Sequence, residues 1–212
     1  MAVLRVNPTR MELTSMKRRL VTARRGHKLL KDKRDELVRR FIRLVRENDA
    51  LRREVEAQLE AALKDFALAR AVMEPGALRQ ALMYPARQAQ ITVGRRSILS
   101  VRVPEYAMDQ ESLTRVRLPY GMAETSAQLD NAITTMAEVM PRLIELAEVE
   151  KTASLLADEI QKTRRRVNAL EYVMIPQFEE TIRFITMKLE ENERGALTRL
   201  MKVKEMIKDR AT

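Results

Sequence analysis

The chain has 212 residues, no cysteine and no tryptophan, 4% aromatic and 33% charged residues, and a formal net charge of +10. That profile suits long helices that bury an apolar stripe against another helix, and it excludes a disulfide framework or a thiolate metal site. The start MAVLRVNPTR lacks the apolar run of a secretory signal, and no stretch reaches the ~18 apolar residues of a membrane span.

The first predicted element is a long helix. Asn7-Pro8-Thr9 precedes it, and Thr9 with Glu12 fits a capping box, in which hydroxyl and carboxylate each satisfy an orphan amide. A 3-4 pattern then runs through Leu13, Met16, Leu20, Ala23, His27, Leu30, Arg34, Leu37, Phe41, Leu44, Asn48, Leu51, Val55, Gln58 and Ala62. So long a single seam argues for a coiled coil, because a lone amphipathic helix drifts off a strict 3.5-residue period. Glu74-Pro75-Gly76 stops it, giving a helix of about 90 Å at 1.5 Å per residue. The polar seam residues His27, Arg34, Asn48 and Gln58 fix register at some cost in stability.

Residues 76–123 change character. AlaLeuArgGlnAlaLeuMet at 77–83 predicts a short helix ended by Pro85. Ile91-Thr92-Val93, then Gly94-Arg95-Arg96, then the alternation from Ile98 to Val103, predicts a β-hairpin. Val116-Arg117-Leu118 could add a third short strand. This segment is expected as a small knob at one end of a long rod.

The second long helix is predicted from Thr125 or Ser126. Its seam reads Leu129, Ile133, Met136, Met140, Leu143, Ala147, Leu156, Ile160, Thr163, Val167, Leu170 and Met174. After Pro176 it shifts by four residues to Phe178, Ile182, Ile185, Leu189, Leu200, Val203 and Ile207. Such a stutter locally unwinds a coiled coil, and Pro141 and Pro176 should each bend the helix or break its hydrogen-bond ladder. The fold class is therefore mainly α: an antiparallel two-helix coiled coil of N- and C-terminal segments with a central knob. The segments are 1–75, 76–123 and 124–212, in one structural unit. Setting Met11 opposite Lys204 places Arg70 opposite Leu146, so that residues 125–145 overhang.

The positive charge is local. Residues 5–34 hold eleven Lys/Arg against Glu12 and Asp32, or +9, and residues 194–210 add +4. In the antiparallel arrangement both ends meet at one tip of +13. Lys17, Arg18 and Arg19 sit near a helix N-terminus, where the macrodipole disfavours cations, so a partner explains them better than local stability does. A leucine-zipper DNA reader would carry a basic arm free of any apolar seam. Here Leu20, Ala23, Leu29 and Leu30 sit inside the basic stretch, and Gly26 interrupts the helix. A phosphate-binding coiled coil and a non-rotating helical scaffold remain the alternatives.

No phosphate loop, dinucleotide fingerprint, HExxH motif or cysteine nucleophile is present. His27 is the chain's one histidine and lies inside the coiled-coil stripe, so it sets register rather than serving as a metal ligand or proton relay. Neither an enzyme site nor a cofactor is expected.

Two stretches carry a resemblance. NPTRMELTSMKRRLVTARRGHKLLKDKRDELVRRF at 7–41 and RRRVNALEYVMIPQFEETIRFITMKLEENERGALTRLMKVK at 164–204 closely resemble the D subunit of V-type (archaeal-type) rotary ATPases and ATP synthases. The likeness spans nearly the whole chain, and the middle fits that family's variable, hairpin-bearing region. It implies a non-catalytic central rotor shaft, cytoplasmic and peripheral to the membrane, with no direct membrane insertion and no nucleic acid. The implied partners are the A and B subunits of the ATPase hexamer, the small F subunit, and the funnel-shaped subunit that links to the membrane ring. On that reading Arg18, Arg19, Arg24, Arg25, Lys28, Lys31, Arg199, Lys202 and Lys204 face carboxylates of the hexamer bore. The apolar face widens at Val38, Ile42 and Val45 and at Tyr172 and Val173, expected at matching levels, either as internal packing through a thicker stretch or as a contact for a neighbouring subunit.

Overall fold

A computed structural model describes residues 4, 6–84, 90–108, 118, 120, 121 and 125–210, with side chains through Ile207. Its elements in chain order are α1 (Arg10–Val72), α2 (Pro75–Ala81), β1 (Ile91–Ile98), β2 (Val101–Met108), α3 (Ala127–Ala169), a π-helical turn (Leu170–Met174) and α4 (Ile175–Arg210). The expected mainly helical fold is present, with its two long terminal helices packed together and a small hairpin.

Local chemistry accounts for most boundaries. Thr9 Oγ1 accepts from the Glu12 amide at 3.2 Å, one half of the expected capping box. The other half is replaced, since the Thr9 amide donates to the Asn7 carbonyl at 2.9 Å. Gly26 does not interrupt α1, which passes straight through it. A glycine costs a helix interior only about 1 kcal/mol, and the flanking seam outweighs that. Pro75 opens α2 as well as closing α1, because its fixed φ suits a first helical turn while it forces Glu74 into extended backbone. Ser126 Oγ accepts from the Leu129 amide at the start of α3. Pro176 lies two residues past the end of the π turn, in the first turn of α4. Its missing N–H and its ring both disturb the ladder toward Tyr172, and a widened turn accommodates them.

The chain divides into two compact units, one of residues 1–35 with 161–212 and one of residues 36–160. In the first, α1 and α4 run antiparallel. Arg10 pairs with Glu193 and Arg24 with Glu179, each at 2.6 Å, and His27 Nε2 lies 3.4 Å from Glu171. The Leu4 amide donates to Thr181 Oγ1. Met16, Thr163, Val167, Thr181 and Ile185 form its buried stripe.

These pairs correct the expected register. Arg10 opposes Glu193, not a residue near Lys204, a slip of about three helical turns. A seam that repeats every heptad fits several such registers almost equally well, and the cross-helix charge pairs discriminate among them. As a result α4 runs on past the last residue that α1 opposes. Leu200, Val203 and Ile207, expected in the seam, are 65%, 52% and 63% exposed.

In the second unit α1 opposes α3 through Arg52–Glu150 at 2.9 Å and Arg142–Glu54 at 3.8 Å. Residues 125–145 do not overhang. Leu129 is buried with Ala69, Met73, Leu78 and Ala81, and Ile133 packs on that cluster. Tyr120 packs there too, its hydroxyl donating to Asp130 at 2.7 Å. Burial and the Asp130 carboxylate push that phenol well above its ordinary range. Along α3, Ala132, Val139, Val149 and Thr152 are buried where the periodic reading expected Met136, Met140 and Ala147. One residue of slip turns a helix face by about 100°. It arises because α3 here packs on α2 and the hairpin as well as on α1.

The hairpin also departs from expectation. Its strands pair from Ile91–Met108 to Ile98–Val101, so the turn is Leu99-Ser100 rather than Gly94-Arg95-Arg96. Both turn residues have positive φ, the geometry of a two-residue hairpin loop that usually selects Asn-Gly. Leu99 occupies it because its side chain packs on the second cluster, Leu37, Val101, Val103 and Leu156. Gly94 sits mid-strand, where an added Cβ would come 3.5 Å from the Glu105 carbonyl oxygen. The hairpin therefore docks along α1 and α3 at Leu37–Leu44 and Leu155–Ile160, not at the α2 end of this unit. Val116 and Arg117 of the expected third strand lie outside the described residues.

Candidate functional site

Among the described residues no helix is long and apolar enough to cross a membrane, and no three acidic or histidine side chains converge as a metal site requires. The surfaces with functional character are charged and apolar faces of helices.

In the first unit Lys17, Arg18, Arg19, Arg24, Arg25, Lys28 and Lys31 are distributed along α1, and all seven are exposed. Arg24 is held by Glu179, and Arg199 Nε donates to the Gly195 carbonyl on α4. Lys202 and Lys204 are exposed on the same run of α4 that carries uncovered Leu197, Leu200, Met201 and Val203. Cations and apolar side chains thus share one overhanging helix, a combination suited to a surface that offers both carboxylates and apolar area.

Arg18 and Arg19 also rim an open groove of about 860 Å³. Its floor is Ala23, Gly26, Leu170, Met174 and Phe178, so the small residues of α1 face the π turn across it. Sequence reasoning missed this groove. The signal was present in Gly26 beside Ala23 and Thr22, together with Pro176, but only the register brings the two segments face to face.

His27 contacts the opposing helix through Glu171, which fits a register-setting residue. Tyr172, 64% exposed, follows Glu171 opposite the His27 turn. Val38, Ile42 and Val45 belong to the second unit, where Phe41 and Val45 border a shallow trough floored by Ala153, Ser154 and Ala157. Tyr172 and Val173 belong to the first.

A further cleft in the second unit lies between the hairpin and α3. The Tyr106 amide donates to Glu148 at 2.8 Å, and Arg96 approaches the other oxygen of that carboxylate at 3.9 Å. Thr152 Oγ1 is buried on its wall with no hydrogen-bond partner among the described residues.

Comparison with known proteins supplies a family for this arrangement of helices and hairpin. The family profile for the ATP synthase D subunit matches residues 12–205. The chain is 59% identical over 209 residues to the V-type ATP synthase D subunit of Clostridium novyi (strain NT), covering 98% of this chain and 97% of that one. It is 56% identical over 207 residues to the V-type ATP synthase D subunit of Thermoanaerobacter sp. (strain X514), covering 98% and 99%. The match takes in both long helices, the hairpin between them and the basic N-terminal turns, and the chain belongs to the ATP synthase D-subunit family.

Proposed function

We propose that this chain is the central-stalk rotor of a V-type ATP synthase, a non-catalytic shaft passing torque between a hexamer of A and B subunits and the membrane ring. The full-length likeness to V-type ATP synthase D subunits carries the reading. The physics of the helices agrees with it. A shaft needs stiffness, which long antiparallel helices supply, and asymmetry, so that the catalytic sites differ at any instant. The stutter at the π turn, the two helix-borne prolines and the docked hairpin all break the symmetry of a plain two-helix rod.

Arg18, Arg19, Arg25, Lys28 and Lys31 on α1, and Arg199, Lys202 and Lys204 on α4, face carboxylates of the bore, with Arg24 shared with Glu179. Exposed cations spread around a helix pair attract a ring of carboxylates without any one strong bond to break at each step. Val38, Ile42 and Val45 form the face for a small neighbouring subunit such as F, with Tyr172 and Val173 a second face. A funnel-shaped subunit receives the remaining end. The protein works at the cytoplasmic face, peripheral to the membrane, with no nucleic-acid partner.

The test is co-purification of the tagged full chain from gently solubilised, nuclease-treated membranes. Nucleotide-binding subunits and a membrane ring in an ATPase-active particle are expected. In the same particle, replacing Arg18, Arg19, Arg25 and Lys28 together by Gln should lower ATP-driven ion transport more than ATP hydrolysis. Recovery of the chain alone, or of a particle whose coupling ignores the replacement, overturns the reading.

A further inference from the structure

The hairpin has two long edges, and among the described residues only one carries groups that close it. In an antiparallel pair every second residue turns its N–H and C=O away from the partner strand. Tyr106 is such a residue, because its amide donates outward to Glu148 at 2.8 Å. Pro104, two residues earlier and in the same phase, has no N–H to leave unpaired. The middle of the β2 edge is thus closed by a proline and a carboxylate, at Pro104 and Tyr106, while Val101 and Val103 of the same strand are buried against the helices.

The register transfers this phase to the other strand. Ile91 pairs with Met108, Val93 with Tyr106, Arg95 with Pro104 and Ser97 with Arg102. Ile91, Val93, Arg95 and Ser97 therefore point their amides and carbonyls outward from β1. Nothing among the described residues closes that side. The strand has eight residues without proline, its pairing is continuous without a bulge, and every residue from Ile91 to Ser97 is exposed. Among the described residues no hydrogen bond reaches those four amides. Proteins ordinarily blunt such an edge with proline, a bulge, charged side chains or a covering element, because an open one pairs with whatever strand is available. Of these, β1 carries only the charges of Arg95 and Arg96.

The side chains say what kind of strand fits. Ile91 and Val93 are 47% and 66% exposed, a large apolar pair to leave in water on an edge. Arg95 and Arg102 lie on one face of the hairpin, and neither has an ion-pair partner among the described residues. Directly opposed apolar pairs and opposite charges each favour cross-strand pairing. We infer that β1 accepts a further strand, an extended segment of another subunit of the ATP synthase assembly. That segment sets two apolar side chains at alternate positions beside Ile91 and Val93 and a carboxylate beside Arg95. Main-chain hydrogen bonds supply the affinity, and the alternate side chains supply the selectivity. The inference rests on the functional reading above, since it takes its partner from that assembly.

Hydrogen–deuterium exchange with residue resolution tests it, comparing the free full-length chain with the chain in the purified assembly. The amides of Ile91, Val93, Arg95 and Ser97 should exchange on the order of tenfold or more slowly in the assembly. Val93→Pro removes one outward N–H and blocks the edge with a ring, while the inward bonds of Thr92 and Gly94 survive. Slow exchange at Gly94 and Arg96 shows that the variant hairpin is intact. In that variant Arg95 and Ser97 should return to the rates of the free chain. Arg95→Glu should weaken the protection, as a like charge against the docked carboxylate. Four amides that exchange alike in the free chain and the assembly overturn the edge, and so does protection that survives Val93→Pro. A wild-type chain that recovers no assembly sinks the functional reading and this partner with it.

Discussion

The two units are built from the same long helices, yet they bury side chains differently. The unit of residues 36–160 has two apolar clusters, each fed by more than a helix pair: α2 and Tyr120 close one, and the hairpin tip closes the other. Among the described residues, the unit of residues 1–35 and 161–212 has a single stripe, in which two of the five fully buried side chains are threonines. Both Thr181 and Thr163 are almost wholly covered there, while Met11, Leu29 and Met187 lie open to solvent. A two-helix contact covers only one face of each helix, so a third element is needed before large side chains close into a core. The difference teaches where the free chain draws its stability and where it offers surface. One unit is anchored by its own hairpin, and the other leaves apolar and cationic area exposed.

Core truncation should give the largest contrast. Leu37→Ala or Leu156→Ala, at the floor of the hairpin cluster, should cost about 2–5 kcal/mol in urea unfolding of the free chain. Leu200→Ala, on the overhanging end of α4, should stay within about 0.5 kcal/mol. Equal losses would break the comparison.

Next comes the buried hydroxyl of Thr152. Thr152→Val removes an unpartnered polar atom and should stabilise the second unit by about 1–2 kcal/mol. A loss of stability of that size would mean the hydroxyl is satisfied in solution.

The turn sharpens the argument about docking. Ser100, at φ 73°, gains from glycine by about 1 kcal/mol, so Ser100→Gly should raise the unfolding midpoint. Leu99→Gly relieves a similar strain but loses contact with Leu37 and Leu156, and it should lower that midpoint. If both variants move the same way, the tip is not held by packing.

The smallest effect is expected in the other unit. A Cβ at Gly26 would meet nothing within 4 Å, so Gly26→Ala should stabilise α1 by about 0.5–1 kcal/mol, read by helical circular dichroism on heating.

Much of this fold was legible from local signals. The seven-residue seam specified two long helices, Pro75 and Ser126 marked their boundaries, and β-branched alternation located the hairpin. The basic turns pointed to a partner because the macrodipole opposes them. What stayed hidden was every choice that depends on distant contacts. The turn fell at Leu99-Ser100 because a leucine side chain found Leu37 and Leu156, which outweighed the usual preference for glycine. The buried face of α3 rotated because the hairpin and α2 press on it.

The sequence by itself determined which segments are helix, which are strand and where the charge lies, since each of those is settled within a few turns of chain. Only the tertiary structure decided that Arg10 meets Glu193, that Leu129 is buried rather than overhanging, and that β1 is left with an open edge. A heptad seam offers registers a few turns apart that differ little in local energy. The choice among them is made by a handful of long-range pairs whose positions no local pattern contains.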